Sequence, residues 1–213
     1  MTVGASTPDA ARDKSIRAAF RLEYVTLGWM TMEAAVGIGA GVAAGSLALA
    51  AFGADSVIEL ASAGVLVWRL TVELRHGRRF AERTERLASR IGGVLLGLLA
   101  LYVVIAAVAK LWVGTGAEFS WPGLVLAILA IPIMSWLARR KLQLADALGS
   151  RALRADAVES ITCGWMALVV VAALLAQRLV GAWWIDPVAS LGIVWFLVRE
   201  AREAWGGEGC CEA

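Results

Sequence analysis

Apolar residues and short polar stretches alternate along this chain in a way that divides it into six long hydrophobic segments. Each segment is close to or above the ~20 residues that a helix needs to cross the hydrocarbon core of a bilayer. The pattern predicts membrane-spanning helices at residues 24–42, 46–70, 91–112, 121–137, 155–179 and 183–205. We therefore expect an all-α integral membrane protein, with a six-helix domain at 21–205 between an arm at 1–20 and a short tail at 206–213.

Hydrophobic residues make up 60% of the chain and charged residues 18%, a balance typical of a protein whose main solvent is lipid. The arm is polar and lacks the basic-then-apolar order of a cleaved signal peptide, so we expect it to be retained. No nucleophile–base pair or substrate-binding motif stands out, and the only histidine, His76, lies outside the predicted spans. The sequence therefore favours a non-enzyme without a prosthetic group, which contacts lipid rather than nucleic acid.

Basic residues are distributed unevenly between the connections. All but two of the 20 lysines and arginines lie before helix one, at the end of helix two or between helices two and three, between helices four and five, or near the end of helix six. The exceptions are Lys110 and Arg178. Because basic residues accumulate in cytoplasmic loops, the pattern predicts a multi-pass protein of the cell membrane with both termini in the cytoplasm.

Two carboxylates interrupt the second apolar segment. Asp55 and Glu59 are four residues apart, so a helix places both on one face. An ionised side chain near the bilayer centre costs about 3 kcal/mol on insertion scales, and intramembrane acids are for this reason candidate functional residues. Two acids on one face suggest that a cation binds there.

The fifth predicted helix supplies a second pair at the same spacing, Glu159 and Cys163. Together with the acids of helix two, these residues would form a four-ligand shell for a divalent metal such as zinc, cobalt or cadmium. The thiol is what favours the softer metals, although a cysteine in a membrane helix is commonly just a small apolar residue.

Other residues have predicted supporting roles. Glu33 lies in the middle of helix one, where it would act as a hydrogen-bond partner of the ligands or as a proton carrier, with direct ligation of the metal as the alternative. Asp156 lies one turn before the helix-five pair. Asp186 precedes a proline at the start of helix six and is expected to cap that helix. In the tail, Cys210 and Cys211 would either capture soft metal ions or belong to an unstructured end.

Glycines in helix one also follow a four-residue spacing, at Gly37, Gly41 and Gly45. Small residues at this spacing allow another helix backbone to approach closely. The spacing predicts close packing inside the bundle, with a specific dimer face as the alternative.

Several of these acids are expected to be buried, which would couple metal binding to the release of protons. A carboxylate in a low-dielectric environment favours its neutral form, so metal binding there would release protons. Such a cluster at mid-membrane, open in turn to either side, is the core of a metal/proton antiporter. A non-transporting membrane protein that senses metal, or assists another protein, through the same site is the alternative.

The motifs of helices two and five resemble those of the cation diffusion facilitator family. The resemblance lies in an Asp-Ser-x-x-acid run and an Ala-Asp-x-x-ligand-x-x-x-ligand run, and extends over about 17–205; its residues are Asp55, Ser56 and Glu59, and Ala155, Asp156, Glu159 and Cys163. It implies efflux of a divalent ion, commonly zinc, in exchange for protons by a homodimer. It also implies that Asp55, Glu59, Glu159 and Cys163 are the metal ligands.

This chain differs from typical members of that family in two ways. Zinc members usually have His or Asp at the positions of Glu159 and Cys163. Most members also carry a cytoplasmic ferredoxin-like domain, whereas few residues follow Trp205 here. The match is closest to short members without that domain, so dimerisation would use the membrane helices. The metal stays open among zinc, cobalt, cadmium, iron and manganese, with zinc the first expectation.

Overall fold

The computed structural model describes residues 8–76 and 82–206. Over these residues the chain forms six helices and no strand, which confirms the predicted all-α fold. The helices are α1 (Pro8–Ala44), α2 (Leu47–His76), α3 (Glu82–Val113), α4 (Trp121–Leu148), α5 (Arg151–Val180) and α6 (Ile185–Gly206). The first five contain stretches long and apolar enough to cross a membrane. Cys210 and Cys211 lie outside the described residues.

Several helices are longer than the apolar segments that predicted them. The first begins at Pro8 instead of residue 24, and α4 continues to Leu148 instead of residue 137. The added turns are rich in alanine, arginine, lysine and leucine, which all favour helix, so the backbone stays helical after the hydrophobic run ends. Much of the predicted arm and most of the connection between helices four and five are therefore helical.

The connections 45–46, 114–120 and 181–184 meet at one end of the bundle, which we call the Ser46 end. The Glu118 amide donates to the Ala44 carbonyl at 2.7 Å. Gly116 lies so close to Trp183 that a Cβ atom would come within 2.8 Å of that residue's Cα atom. The opposite end, which we call the Ser150 end, contains the start of α1, the connection between α4 and α5, and the end of α6.

Asp186 caps a different helix from the one predicted. Its carboxylate accepts hydrogen bonds from the Ser46 hydroxyl at 2.6 Å and from the backbone amides of Leu47 and Ala48 at 2.8 and 3.3 Å. It therefore satisfies the open amides at the start of α2, where a negative charge is also favoured by the helix dipole. Lys110 lies 3.8 Å from the same carboxylate. The prediction that Asp186 caps helix six was thus wrong, because α2 begins beside it.

Three helix pairs build the bundle: α1 with α2, α4 with α5, and α3 with α6. The first pair is close because glycines face it. A Cβ atom on Gly41 would lie 2.6 Å from the Ala50 nitrogen, and one on Gly37 would lie 2.9 Å from the Gly53 Cα atom. The close packing predicted for Gly37 and Gly41 therefore occurs inside the bundle, whereas Gly45 has nothing within 4 Å of its Cβ position and a φ of 62° just after α1.

The last helix runs antiparallel to α3 along its length. Gly93, near the start of α3, packs against Trp205 at the end of α6. Lys110, at the end of α3, reaches Asp186 at the start of α6. The sixth helix therefore extends beside an apolar span from one end of the bundle to the other, although its own composition includes charged residues.

Large apolar side chains cover the outside of the bundle. They are most numerous on α3, where Leu98, Leu101, Tyr102 and Ile105 are all exposed. An exposed apolar surface of this kind suits contact with lipid rather than water. Together with the five apolar spans, it identifies a multi-pass membrane protein.

Candidate metal centre

Three carboxylates converge inside the bundle: Asp55 and Glu59 of α2 and Glu200 of α6. One oxygen from each lies within 4.8 Å of the other two. Among the side chains that the structure describes, this is the one group of three or more histidines, cysteines, aspartates or glutamates that meet so closely. All three side chains are buried.

The oxygens of this group have few hydrogen-bond donors. Both carboxylate oxygens of Asp55, both of Glu59 and Oε1 of Glu200 are buried without a hydrogen-bond partner in the part of the chain that the structure describes. Buried polar groups are normally paired, and an unpaired one costs about 1–3 kcal/mol or more. Five such oxygens in one place are suited to binding a cation.

The register of two parallel helices explains why Glu59 and Glu200 meet. Helices α2 and α6 start side by side, joined by the hydrogen bond from Ser46 to Asp186. Glu59 follows Ser46 by about 20 Å of helix and Glu200 follows Asp186 by about 21 Å, at a rise of 1.5 Å per residue. The two glutamates therefore lie at the same depth, and Asp55 lies one turn nearer the Ser46 end.

Glu159, predicted as a ligand, lies beside this group but outside it. Its side chain is half-buried on α5. Helix α5 packs against both α2 and α6, which carry the three converging acids.

Cys163, the other predicted ligand from α5, contacts Glu33 instead of the group. Its thiol donates a hydrogen bond to Glu33 Oε1 at 3.1 Å. The same oxygen accepts the Ser56 hydroxyl at 2.7 Å, and the other oxygen accepts the indole N–H of Trp29 at 2.6 Å. Glu33 therefore has donors on both oxygens, in contrast to Asp55.

Asp156 belongs to a buried ion-pair network nearer the Ser150 end. Lys141 of α4 lies 2.5 Å from Asp156 Oδ2 and 4.0 Å from an oxygen of Glu23 in α1, and it donates to the Ser160 hydroxyl at 3.2 Å. The lysine side chain is completely buried. Although Lys141 contributes to the basic bias of the connection between helices four and five, it is an interior residue that joins three helices.

Glu200 did not emerge from the sequence as a site residue. It lies among charged residues close to the predicted end of helix six, which is typical of an interface position. The available signal is helical periodicity, because Glu200 continues a buried stripe at the spacing i, i+4, i+7, i+11 and i+14. The stripe consists of Asp186, Ser190, Ile193, Leu197 and Glu200.

Comparison with known proteins gives one curated relative, an uncharacterized transporter of Synechocystis sp. The two chains are 29% identical over 161 residues, which cover 73% of this chain and 52% of the relative. The chain thus spans about half the length of the curated relative it matches.

The cation efflux transmembrane domain matches residues 25–204. This range contains all six helices in whole or in large part, the three converging carboxylates, the Glu33 network, and Lys141 with Asp156; Glu23 lies just before it. From the match over most of its length, we conclude that the chain belongs to the cation efflux family.

Proposed function

We propose that this chain carries a divalent transition-metal cation across the membrane, and that Asp55 and Glu59 are its central ligands. The observation that supports this most strongly is the four carboxylate oxygens of these residues, which are buried without hydrogen-bond partners among the described residues. Intramembrane acids commonly mark ion pathways. Membership of the cation efflux family makes a metal cation the natural occupant.

Glu159 and Cys163 of α5 are proposed to complete the ligand set as the bundle changes conformation. Glu159 already lies near the acids of α2 and α6. Cys163 would have to exchange its hydrogen bond with Glu33 for the metal. Zinc, cobalt, cadmium, iron and manganese are the candidate ions, and the thiol is the reason that the sequence puts zinc first.

Exchange for protons follows from the charge in the site. Uncompensated carboxylates in a buried position are costly, and a proton is the simplest substitute for a metal ion. We propose that protons occupy the acids when the metal has left. Glu33 and Asp156 would support the exchange, the first through its contact with Cys163 and the second through its ion pair with Lys141.

Efflux from the cytoplasm would begin at the Ser150 end. Exposed arginines near this end include Arg139, Arg140, Arg154 and Arg202. By the positive-inside rule, we propose that both ends of the described chain lie in the cytoplasm. We also propose a homodimer that associates through the membrane helices.

The test is metal-dependent proton movement in liposomes that contain the purified protein. Zinc, cadmium, cobalt, manganese, iron and magnesium are supplied in turn to wild type, to Asp55→Asn, and to Glu118→Gln. Glu118 is a matched control, because its side chain is exposed at the Ser46 end. We expect flux of at least one transition metal in wild type and in Glu118→Gln, and none in Asp55→Asn.

Two other outcomes would contradict the proposal. If wild-type protein binds metal but moves neither metal nor protons, the metal-sensing or accessory role becomes the better account. If Asp55→Asn transports as well as wild type, Asp55 is not a ligand.

A further inference from the structure

We infer that Glu200 of α6 completes an oxygen-only metal site with Asp55 and Glu59 in the conformation described here, in which Cys163 is bound to Glu33, and that this conformation favours ions that prefer oxygen ligands, such as Mn²⁺, over thiophilic ions such as Cd²⁺. The inference rests on the proposed function, because it names the ligand and the substrate class of the same site. The inference adds a ligand from α6, a helix that carries neither of the motifs found in helices two and five.

The geometry of the three carboxylates is close to that of a metal site. Because the three oxygens lie within 4.8 Å of one another, a single point lies within about 2.8 Å of all of them, slightly beyond the range of about 2.0–2.6 Å for bonds from oxygen to divalent ions. Small side-chain rotations would bring all three oxygens into bonding range.

Glu200 has an unpaired oxygen, although its charged neighbours have partners. Its Oε1 atom is buried without a hydrogen-bond partner among residues 8–76 and 82–206. Arg199, the preceding residue, donates instead to Glu203 at 2.9 Å on the exposed side of α6. Arg199 therefore forms its hydrogen-bonded ion pair with Glu203 and leaves the Oε1 atom of Glu200 unpaired.

The chemistry of the group points to a hard ion. All three ligands are carboxylates, which suit magnesium, calcium and manganese better than they suit soft metals. The thiol of Cys163 is hydrogen-bonded to Glu33 and lies outside the group. Among transition metals, Mn²⁺ is therefore the ion that this arrangement fits best.

The experiment measures binding of Mn²⁺ and of Cd²⁺ to the purified full-length protein in detergent, by equilibrium dialysis. Wild type is compared with Glu200→Gln, which keeps the size of the side chain but removes its charge. Glu203→Gln is the matched control, since Glu203 lies one turn further along the same helix with 41% of its side chain exposed. We expect Glu200→Gln to bind Mn²⁺ at least about tenfold more weakly, since loss of even an indirect partner of a metal ligand costs 10–100-fold in affinity.

A second variant keeps the test informative if Glu200→Gln folds poorly. Glu200→Cys replaces an oxygen ligand by sulfur at the same position, and we expect it to raise the ratio of Cd²⁺ to Mn²⁺ affinity relative to wild type. The thermal unfolding of each variant without metal shows whether it has folded. Glu203→Gln should match wild type in both affinities.

Two results would overturn the inference. One is wild-type Mn²⁺ affinity in a folded Glu200→Gln variant together with an unchanged Cd²⁺ to Mn²⁺ ratio in Glu200→Cys. The other is tighter binding of Cd²⁺ than of Mn²⁺ in a folded Cys163→Ser variant, in which this thiol is absent and only the carboxylates can select the ion. A different result would contradict the proposed function. If wild-type protein binds Mn²⁺ through Glu200 but moves no ion in liposomes, the metal site is supported and the transport is not.

Discussion

Cys163 of α5 donates a hydrogen bond to Glu33 of α1 across 3.1 Å, and the same carboxylate oxygen accepts the hydroxyl of Ser56 in α2. One buried carboxylate thus joins three helices. Ser56 directly follows Asp55 in the chain, so Glu33 fixes the backbone beside the candidate metal centre. A change at Glu33 should therefore affect both the fold and the accessibility of the thiol.

Glu33→Gln tests this relationship. An amide has a single oxygen acceptor, so the variant cannot satisfy the donors of Trp29, Ser56 and Cys163 as a carboxylate does. We expect a loss of about 1–3 kcal/mol in the free energy of unfolding, from one buried group left unpaired. We also expect faster alkylation of Cys163 in a background with Cys210→Ser and Cys211→Ser. Unfolding in detergent and the rate of thiol labelling are the measurements, with Glu118→Gln as the control.

Unchanged stability and unchanged labelling of Glu33→Gln would mean that the three hydrogen bonds contribute little. The thiol would then be held by packing alone, since Cys163 is completely buried.

Lys141→Met should be strongly destabilising. It removes the cation that lies 2.5 Å from Asp156 and 4.0 Å from Glu23, and leaves these acids uncompensated in the interior. Loss of one partner of a buried ion pair costs about 3–5 kcal/mol. The measurement is thermal or denaturant unfolding of the purified protein.

The matched test is the double variant Lys141→Met with Asp156→Asn, which removes both partners. We expect it to be more stable than Lys141→Met alone, because less uncompensated charge stays buried. If the loss of stability in the double variant equals the sum of the losses in Lys141→Met and in Asp156→Asn, the two residues do not interact.

Gly41→Ala should lower the stability of the fold and Gly39→Ala should not, although the residues are two positions apart in the same helix. A Cβ atom on Gly41 would lie 2.6 Å from the Ala50 nitrogen, so α1 and α2 would have to separate. Overpacking of this kind costs about 1–3 kcal/mol. Gly39 has nothing within 4 Å of its Cβ position, so alanine there should be neutral or stabilising by up to about 1 kcal/mol.

Unfolding temperatures in one detergent compare the two glycine variants directly. Equal effects at the two positions would contradict the close contact of α1 with α2.

Much of the fold could be predicted from the sequence, because long apolar segments in a lipid solvent have few alternatives to helix. The six helices and the close packing at Gly37 and Gly41 follow from this pattern and from residue size. Helix ends were less predictable, as at Pro8 and Leu148, because charged residues that favour helix extend it after hydropathy has fallen.

The candidate site was only partly accessible to the same reasoning. Spacing within one helix brought Asp55 and Glu59 together, since four residues make about one turn. It could not bring Glu200 to them, because that contact depends on the register between α2 and α6, which Ser46 and Asp186 set across 140 residues of sequence. For the same reason the thiol of Cys163 was expected at the metal, whereas it contacts Glu33.

A divalent ion is proposed to bind between the acids of α2 inside the membrane domain. The most direct measurement is an anomalous difference map from crystals of the full-length protein grown with Mn²⁺. We predict a peak within about 2.0–2.6 Å of carboxylate oxygens of both Asp55 and Glu59. A Mn²⁺ peak elsewhere in the bundle, with both acids free of metal, would contradict the claim.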